Sequence, residues 1–142
     1  MVFLLEDLFD VKDIDQDGKK FDNVSRIQAL SQTYGLELTI DINTEIYPMK
    51  IFDRFSMALS TNLRKDGEPD EGVYDQSGVE TFADDFEYVM HGKVFKQYRK
   101  PGETEMSVFV SFGGLLMHLR GDEQQLNKLE LDTKVYLLMR KN

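Results

Sequence analysis

The chain has 142 residues, no cysteine and a net charge of -9, with 26 acidic against 17 basic residues. A chain of this length usually forms one compact domain, so residues 1–142 are expected to fold as a single unit. The absence of cysteine excludes disulfides, thiolate nucleophiles and sulfur-ligated metal centres and suits a reducing compartment inside the cell, while the acidic balance opposes long-range attraction to nucleic-acid phosphates.

Apolar and polar residues alternate along most of the chain, and this two-residue period is typical of half-buried β-strands. The clearest case is the segment 36–43, in which every even residue is apolar and every odd residue is polar. The pattern predicts eight or nine short strands in all, at residues 8–14, 24–30, 36–43, 55–60, 86–90, 94–98, 106–112, 115–119 and 135–140.

Helical spacing is rare in this sequence. Residues 124–129 are the one segment predicted to form a helical turn, and the spacing of Leu5, Leu8 and Phe9 leaves the N-terminal segment open between helix and strand. The chain is therefore predicted to be all-β. Many short strands usually protect their edges by closing into a small barrel, which is the architecture we expect here.

Two stretches interrupt the strand pattern. Gly113 and Gly114 fall inside an apolar run, which predicts a β-bulge or a bend at a barrel corner, or else the close approach of another backbone. Residues 64–87 hold nine acidic and two basic residues together with several glycines, so 64–85 is predicted to be one long, mobile acidic loop. We interpret the loop as a solvated connection between strands, with an acidic interaction segment as the alternative.

One motif resembles half of a calcium-binding loop. Asp13, Asp15 and Asp17 precede Gly18 at the spacing of the first ligands of such a loop. The position that should carry the closing glutamate is Val24, two lysines follow the glycine, and strands are predicted on both sides where helices would be needed. The segment is therefore predicted to be a polar hairpin turn and not a metal site.

No catalytic or cofactor site is predicted. The sequence offers no combination of nucleophile, base and orienting group, and no glycine loop for phosphates. Asp84 and Asp85 are adjacent, so their side chains would point apart and could not share acid and base roles. His91 and His118 lie on different predicted strands, which argues against a zinc site. The apolar start of the chain is too short for a membrane-targeting segment.

A candidate nucleic-acid surface lies in the segment 19–38. It contains three cations and two aromatic residues, the combination that single-strand binding requires, namely Lys19, Lys20, Phe21, Arg26 and Tyr34. The alternative is that Phe21 belongs to the core and that the lysines flank a turn.

Beyond these local patterns, the sequence resembles the small subunit common to eukaryotic nuclear RNA polymerases I, II and III, the eighth in the conventional order. The resemblance extends from one end of the chain to the other and is clearest at residues 9–26, 38–48, 85–94, 111–122 and 135–139, which include Phe112-Gly113-Gly114-Leu115-Leu116-Met117 and Val135-Tyr136-Leu137-Leu138-Met139. It departs from the family at His91 and His118, where an aromatic residue and an arginine are expected.

The resemblance implies an OB-type fold, which is a small antiparallel Greek-key barrel with a long inserted loop. It also implies a protein without chemistry of its own, docked at the periphery of the largest polymerase subunit and supporting assembly and stability in the nucleus, including the nucleolus. The partners expected are that subunit and the multisubunit core, with no cofactor, no membrane and no small-molecule substrate.

Two functions are therefore compared, a docked structural subunit and an autonomous module that binds single-stranded DNA weakly and non-specifically. Docking needs an exposed apolar or backbone patch. We predict this patch where the paired glycines would let a partner strand approach, at Phe109, Phe112, Gly113, Gly114 and Leu115.

Overall fold

The computed structural model describes residues 3–16, 18, 23–61 and 85–142. These residues form eight strands and one short helix, in chain order β1 (Phe3–Ile14), β2 (Val24–Ser31), β3 (Glu37–Asn43), β4 (Arg54–Ser60), β5 (Tyr88–Arg99), β6 (Glu105–Phe112), β7 (Leu115–Asp122), α1 (Glu123–Leu126) and β8 (Lys134–Lys141). The all-β prediction is confirmed.

The strands close into one antiparallel barrel in the order β1-β2-β3-β7-β6-β5-β8-β4. Strand β4 returns to pair with β1, which gives β1 to β4 the spatial order of a Greek key, and β8 returns to β5 in the same way. The barrel therefore consists of a first Greek key, β1–β4, and a second Greek key, β5–β8. They are joined where β3 pairs with β7 and where β4 pairs with β8.

The predicted alternation forms the barrel interior. In β3 the side chains of Leu38, Ile40 and Ile42 are fully buried, as the two-residue period requires. Phe9 of β1 stacks on Phe55 of β4, with ring centroids 5.7 Å apart. The N-terminal segment is thus a strand, which decides the alternative that its spacing left open.

The predicted helical turn is present but shorter than expected, covering only α1. Asp122 caps α1 by accepting a hydrogen bond from the backbone N–H of Gln124 (2.8 Å). Leu126 and the following Leu129 are both fully buried in the core.

The predicted strands 86–90 and 94–98 are a single strand, β5, and this accounts for eight strands where nine were also considered. Gly92 separates the two apolar runs in the sequence, yet it lies inside the strand. The position requires glycine because a Cβ atom there would lie 2.2 Å from the backbone oxygen of Ser111. A register shift between Val94 and Lys96 then lets the long strand follow the barrel.

The prediction that Gly113 and Gly114 mark a bulge or corner within one run is wrong. The two residues form the turn of a tight hairpin, with Phe112 of β6 opposite Leu115 of β7. Both glycines have positive φ, 64° and 102°. A two-residue hairpin turn of this kind requires positive φ at both positions, which glycine adopts without steric cost.

Two predicted features lie mostly or partly outside the described residues. Of the acidic loop 64–85 only Asp85 is described, so the Asp84 and Asp85 pair is not seen as a pair. In the β1–β2 connection the structure describes Asp15, with φ of 52°, whose backbone oxygen accepts a hydrogen bond from the Gly18 N–H (2.8 Å). Strands lie on both sides of this connection, as expected for a hairpin turn.

Candidate functional site

The predicted nucleic-acid residues do not form one surface among the residues described. Lys19, Lys20 and Phe21 lie outside those residues. Arg26 lies near the start of β2, whereas Tyr34 lies in the turn after β2 ends. Roughly 17 Å of extended strand separates Arg26 from the end of β2, so Arg26 and Tyr34 are at opposite ends of the barrel wall.

Arg26 is engaged by a carboxylate. Its Nε and Nη2 atoms donate to Oδ1 and Oδ2 of Asp41, at 2.8 and 3.1 Å. Asp41 is buried, and its Oδ2 also accepts a hydrogen bond from the backbone N–H of Leu116 (3.1 Å). A two-point pair of this kind fixes the guanidinium against the barrel wall. Arg26 is therefore a structural cation that links β2, β3 and β7.

The turn that carries Tyr34 is organised by Asp7 of β1. The Asp7 carboxylate accepts hydrogen bonds from the backbone N–H groups of Leu8 (2.7 Å), Thr33 (3.2 Å) and Tyr34 (3.1 Å). Burial raises the pKa of Asp7, but these bonds and those from the side chains of Ser31 and Thr33 outweigh it and lower the pKa below the ordinary value. Tyr34 itself is 45% exposed.

The predicted partner residues divide into three environments. The ring of Phe112 is buried in the core and presents almost nothing to a partner. Phe109 lies on the outer face of β6 and stacks on His118 of β7, with centroids 4.3 Å apart and planes 5° apart. Gly113, Gly114 and Leu115 form the tip of the β6–β7 hairpin and the start of β7.

A groove joins this hairpin tip to the β1–β2 connection. It has a volume of about 330 Å³ and is lined by Asp15, Gln16, Gly18, Val24, Arg26, Gln28, Asp41, Gly113, Gly114 and Leu115. It brings Arg26 from one predicted surface together with three residues of the other. The lining offers the Arg26–Asp41 ion pair, the Asp15 carboxylate, amides, exposed backbone and apolar groups, and these lining residues include no nucleophile with a base beside it. Such a lining suits a polypeptide segment.

A second surface was missed from the sequence, on the outer wall of the second Greek key. Phe95 is 47% exposed and Tyr98 is 54% exposed, and the Lys96 Nζ lies 5.3 Å from the centroid of the Phe109 ring. The Phe95 and Phe109 rings are 6.2 Å apart. The segment 93–100, which has four cations and no carboxylate, was the signal that could have revealed this wall.

His118 contributes a neutral ring to that wall. Its Nε2 atom is buried without a hydrogen-bond partner among the described residues. Burial lowers the pKa of the imidazole, and the nearby Arg120 lowers it further, although Glu37 opposes them. The imidazole is therefore uncharged at pH 7 and acts through stacking.

The cluster around Tyr47 is structural. The Tyr47 hydroxyl donates to Glu87 Oε1 (2.8 Å), which also accepts from the backbone N–H of Lys141 (2.8 Å). Tyr88 stacks on the Tyr47 ring, with centroids 5.1 Å apart. Burial raises the pKa of Tyr47, and the Glu87 carboxylate raises it further, so the phenol stays protonated. These groups satisfy one another's hydrogen bonds and join β8 to the segments that carry Tyr47 and Glu87.

Neither a metal centre nor a membrane-spanning helix is present in the described ranges. No group of three or more His, Asp or Glu residues there converges on a point that could hold a metal ion. The helix described, α1, has four residues, and none in this part of the chain is long enough to cross a membrane.

The fold and surfaces together define a small Greek-key β-barrel with a groove beside its β6–β7 hairpin. The chain matches the family described as RNA polymerase Rpb8 over residues 6–141, and it belongs to that family.

Relatives of the chain cover nearly its whole length. A Dictyostelium discoideum protein named DNA-directed RNA polymerases I, II, and III subunit rpabc3 is 48% identical, over 97% of this chain and 96% of its own. An Arabidopsis thaliana protein named DNA-directed RNA polymerases II, IV and V subunit 8B is 43% identical, over 99% and 97%. A Saccharomyces cerevisiae protein named DNA-directed RNA polymerases I, II, and III subunit RPABC3 is 34% identical, over 97% of each chain.

Proposed function

We propose that this chain is a non-catalytic subunit shared by nuclear RNA polymerases I, II and III and that it docks on the largest polymerase subunit. The observation that carries the proposal is the family match over residues 6–141. The relatives from Dictyostelium and Saccharomyces are named as subunits of polymerases I, II and III, which supports a subunit shared by these three enzymes. The Arabidopsis relative is named as a subunit of polymerases II, IV and V. The experiment must therefore also identify which polymerases contain this chain.

The groove beside the β6–β7 hairpin is the docking site that the structure supports best. Gly113 and Gly114 present backbone without side chains, and Leu116, which follows the lining residue Leu115 in β7, is 42% exposed. The backbone N–H of Leu116 is held by Asp41, which also lines the groove. A partner segment could therefore bury an apolar side chain and reach backbone groups at one place, as interface cores require.

Affinity purification of the tagged chain from cells tests both parts of the proposal. The full chain is expected to recover the largest subunits of polymerases I, II and III. Leu116→Glu should reduce that recovery at least about tenfold, because it buries a carboxylate in an apolar contact. Leu131→Glu is the matched control, because Leu131 is 54% exposed and, unlike Leu116, neither adjoins a lining residue in sequence nor bonds to one of those described.

The outcomes separate the two parts. Failure of the unmodified chain to recover any polymerase ends the proposed function. Full recovery by Leu116→Glu, with a melting curve like that of the control, leaves the subunit role standing but removes the groove as the docking site. A substituted Gly114 would be a poorer test, because its φ of 102° strains any side chain and confuses folding with docking.

The nuclear location, including the nucleolus, follows from this proposal and stays a prediction. Fluorescence microscopy of the tagged chain should show both compartments, and exclusion from the nucleolus would argue against sharing by polymerase I.

A further inference from the structure

The connection between β3 and β4 carries an aromatic ring on a strained backbone. Residues 50–53 form a turn, here called the Phe52 turn, in which the Asp53 N–H donates to the Lys50 oxygen (3.1 Å). Phe52 is the third residue of this turn and has a φ of 75°. Turns with positive φ at the third residue usually carry glycine or asparagine there, and a bulky residue with positive φ is rare.

The Phe52 turn is bonded to the barrel at both ends. The Phe52 N–H donates to the Val11 oxygen of β1 (3.0 Å), and the Val11 N–H donates to the Asp53 oxygen (2.8 Å). The Asp53 carboxylate also accepts a hydrogen bond from the Lys50 N–H (2.8 Å). A partner would therefore not have to order this turn, and a preorganised contact binds more tightly than one that must first be ordered.

The Phe52 ring contributes little to the core. It is 85% exposed, more than any other large hydrophobic side chain among the described residues, and the neighbouring Ile51 is 46% exposed. Tyr47 and Met49 of the same connection are buried, so the core is packed by other side chains of this segment. An exposed aromatic ring on a strained backbone is unfavourable for folding, and such backbone positions cluster at functional sites.

The charges around the Phe52 turn differ from those of the strands it joins. The strands of the first Greek key contain six carboxylates and three cations, whereas those of the second contain two carboxylates and seven cations. The turn thus belongs to the acidic half of the barrel. The carboxylates beside it are already engaged, however, because Asp10 pairs with Arg54 (2.9 Å) and Asp53 pairs with Lys141 (4.0 Å).

Two lysines add positive charge beside the ring. Lys50 is the first residue of the turn, and Lys12 follows Val11, whose oxygen accepts the Phe52 N–H. Both lysines are exposed, and neither forms an ion pair with another described residue. Charges across an interface are usually complementary. The surface therefore fits an apolar pocket whose rim carries carboxylates.

A second copy of this chain fits the surface poorly. A two-fold dimer would place the Phe52 turn against itself, and Lys12 and Lys50 of one copy would face the same lysines of the other. The groove supplies a better partner, because it lies at the same end of the barrel. The Thr44 N–H donates to the Asn23 oxygen (2.9 Å) and joins the β3–β4 connection to the β1–β2 connection, which lines the groove. One partner can cover both.

We propose that Phe52 anchors the chain to the largest polymerase subunit by inserting into an apolar pocket whose rim carries carboxylates opposite Lys12 and Lys50. The inference rests on the proposed function and adds a second contact beside the groove. Phenylalanine at this position disfavours folding and favours docking. Replacing it should therefore move stability and docking in opposite directions.

Competition for assembly tests the anchor on the full-length chain. A variant and the unmodified chain, with different tags and at equal levels in the same cells, are quantified in polymerase purified through its largest subunit. Phe52→Gly removes the ring and relieves the backbone, whereas Phe52→Ala removes only the ring. Both should lower the share of the variant at least about tenfold, as expected for an aromatic hot spot. Phe52→Gly should nevertheless raise the melting temperature.

Leu131→Ala is the matched control for loss of an exposed apolar side chain. Leu131 is 54% exposed and precedes β8, whereas Lys141, which contacts the Phe52 turn, ends that strand. The control therefore lies at the opposite end of the barrel. It should compete with the unmodified chain to within about twofold.

A second pair of variants tests the expected carboxylates. Lys12→Glu with Lys50→Glu should lower the share of the variant at least about tenfold, because it places like charges across the interface. Lys100→Glu with Lys128→Glu reverses two exposed lysines elsewhere and has the same net charge. This control should change the share less than about twofold.

The outcomes separate this inference from the function on which it rests. If the unmodified chain is absent from every polymerase, the proposed function and the anchor both fail. If polymerase contains the unmodified chain and the Phe52 variants equally, only the anchor fails. Equal losses in the two lysine variants would indicate net charge alone and remove the carboxylate rim. A dimer of the purified chain that Phe52→Ala abolishes would assign the ring to a second copy.

Discussion

Gly92→Ala is the substitution for which the barrel leaves least room. Gly92 lies in the middle of β5, opposite Val135 of β8. A Cβ atom added there would lie 2.2 Å from the backbone oxygen of Ser111 and 2.6 Å from Cδ1 of Phe112. Ordinary contact begins at about 3.4 Å, so β5 and β6 would have to separate by about 1 Å. The obstacle is backbone, which cannot rotate away.

The expected loss of stability follows from two contributions. Overpacking a well-packed core costs about 1–3 kcal/mol. Separating β5 from β6 near Ser111 weakens one or two backbone hydrogen bonds, at about 1 kcal/mol each. The total, about 2–5 kcal/mol, is a large part of the 5–15 kcal/mol that stabilises a typical domain. At about 2–4 °C per kcal/mol for a chain of this size, the melting temperature should fall by about 10 °C.

Gly121→Ala is the matched control, because its added Cβ would meet a side-chain end, Cδ2 of Leu36, at 2.3 Å, with the nearest backbone atom at 3.6 Å. Leu36 can adjust its rotamer, so the loss should be only about 1 kcal/mol. Urea unfolding and thermal melting of the two variants measure the difference. If Gly92→Ala were no less stable than Gly121→Ala, the close approach of β6 to Gly92 could not be the reason for glycine in this strand.

Two further substitutions test strain and charge. Phe52 has a φ of 75° and is 85% exposed, so Phe52→Gly should relieve backbone strain and raise the free energy of unfolding by about 1 kcal/mol. Leu131→Gly is the control at an exposed position without positive φ, and it should lower the free energy of unfolding by about 0.5–1 kcal/mol. A loss of stability at both positions would show that Phe52 is not strained. The folded pKa of Asp7 lies below its ordinary value of 3.8, so ionised Asp7 stabilises the fold above that pH and the contribution is lost as the pH falls through the folded pKa. The stability difference between the unmodified chain and Asp7→Asn, measured by urea unfolding, should therefore be largest near pH 7 and shrink below pH 4, and a difference independent of pH would contradict this role.

Strand periodicity accounts for most of the fold because it is a local property. The alternation in 36–43 placed β3 and its buried face correctly, since one buried face requires one apolar residue in two. Periodicity could not show that β5 continues through Gly92. A glycine weakens a strand pattern locally. Glycine is needed at position 92 because the β6 backbone approaches at Ser111, nineteen positions further along the chain.

The candidate sites were less accessible to sequence reasoning. Phe112 looked like part of an exposed patch, because a two-residue period does not say which face is inside when both flanks are apolar. Arg26 looked available for phosphates, but its partner Asp41 comes from the neighbouring strand. The basic segment 93–100 is visible in the sequence, yet its meaning depends on which strands lie beside it.

The sequence by itself determined most of the strands, the all-β class and the family, because alternation, turn residues and similarity along the whole chain are properties of residue order. Only the tertiary structure decided which strands are neighbours. By closing β1–β4 and β5–β8 into separate Greek keys, the fold gathers acidic strands on one wall and basic strands on the other. Charges scattered along the chain then act together, because electrostatic attraction depends on distance in space.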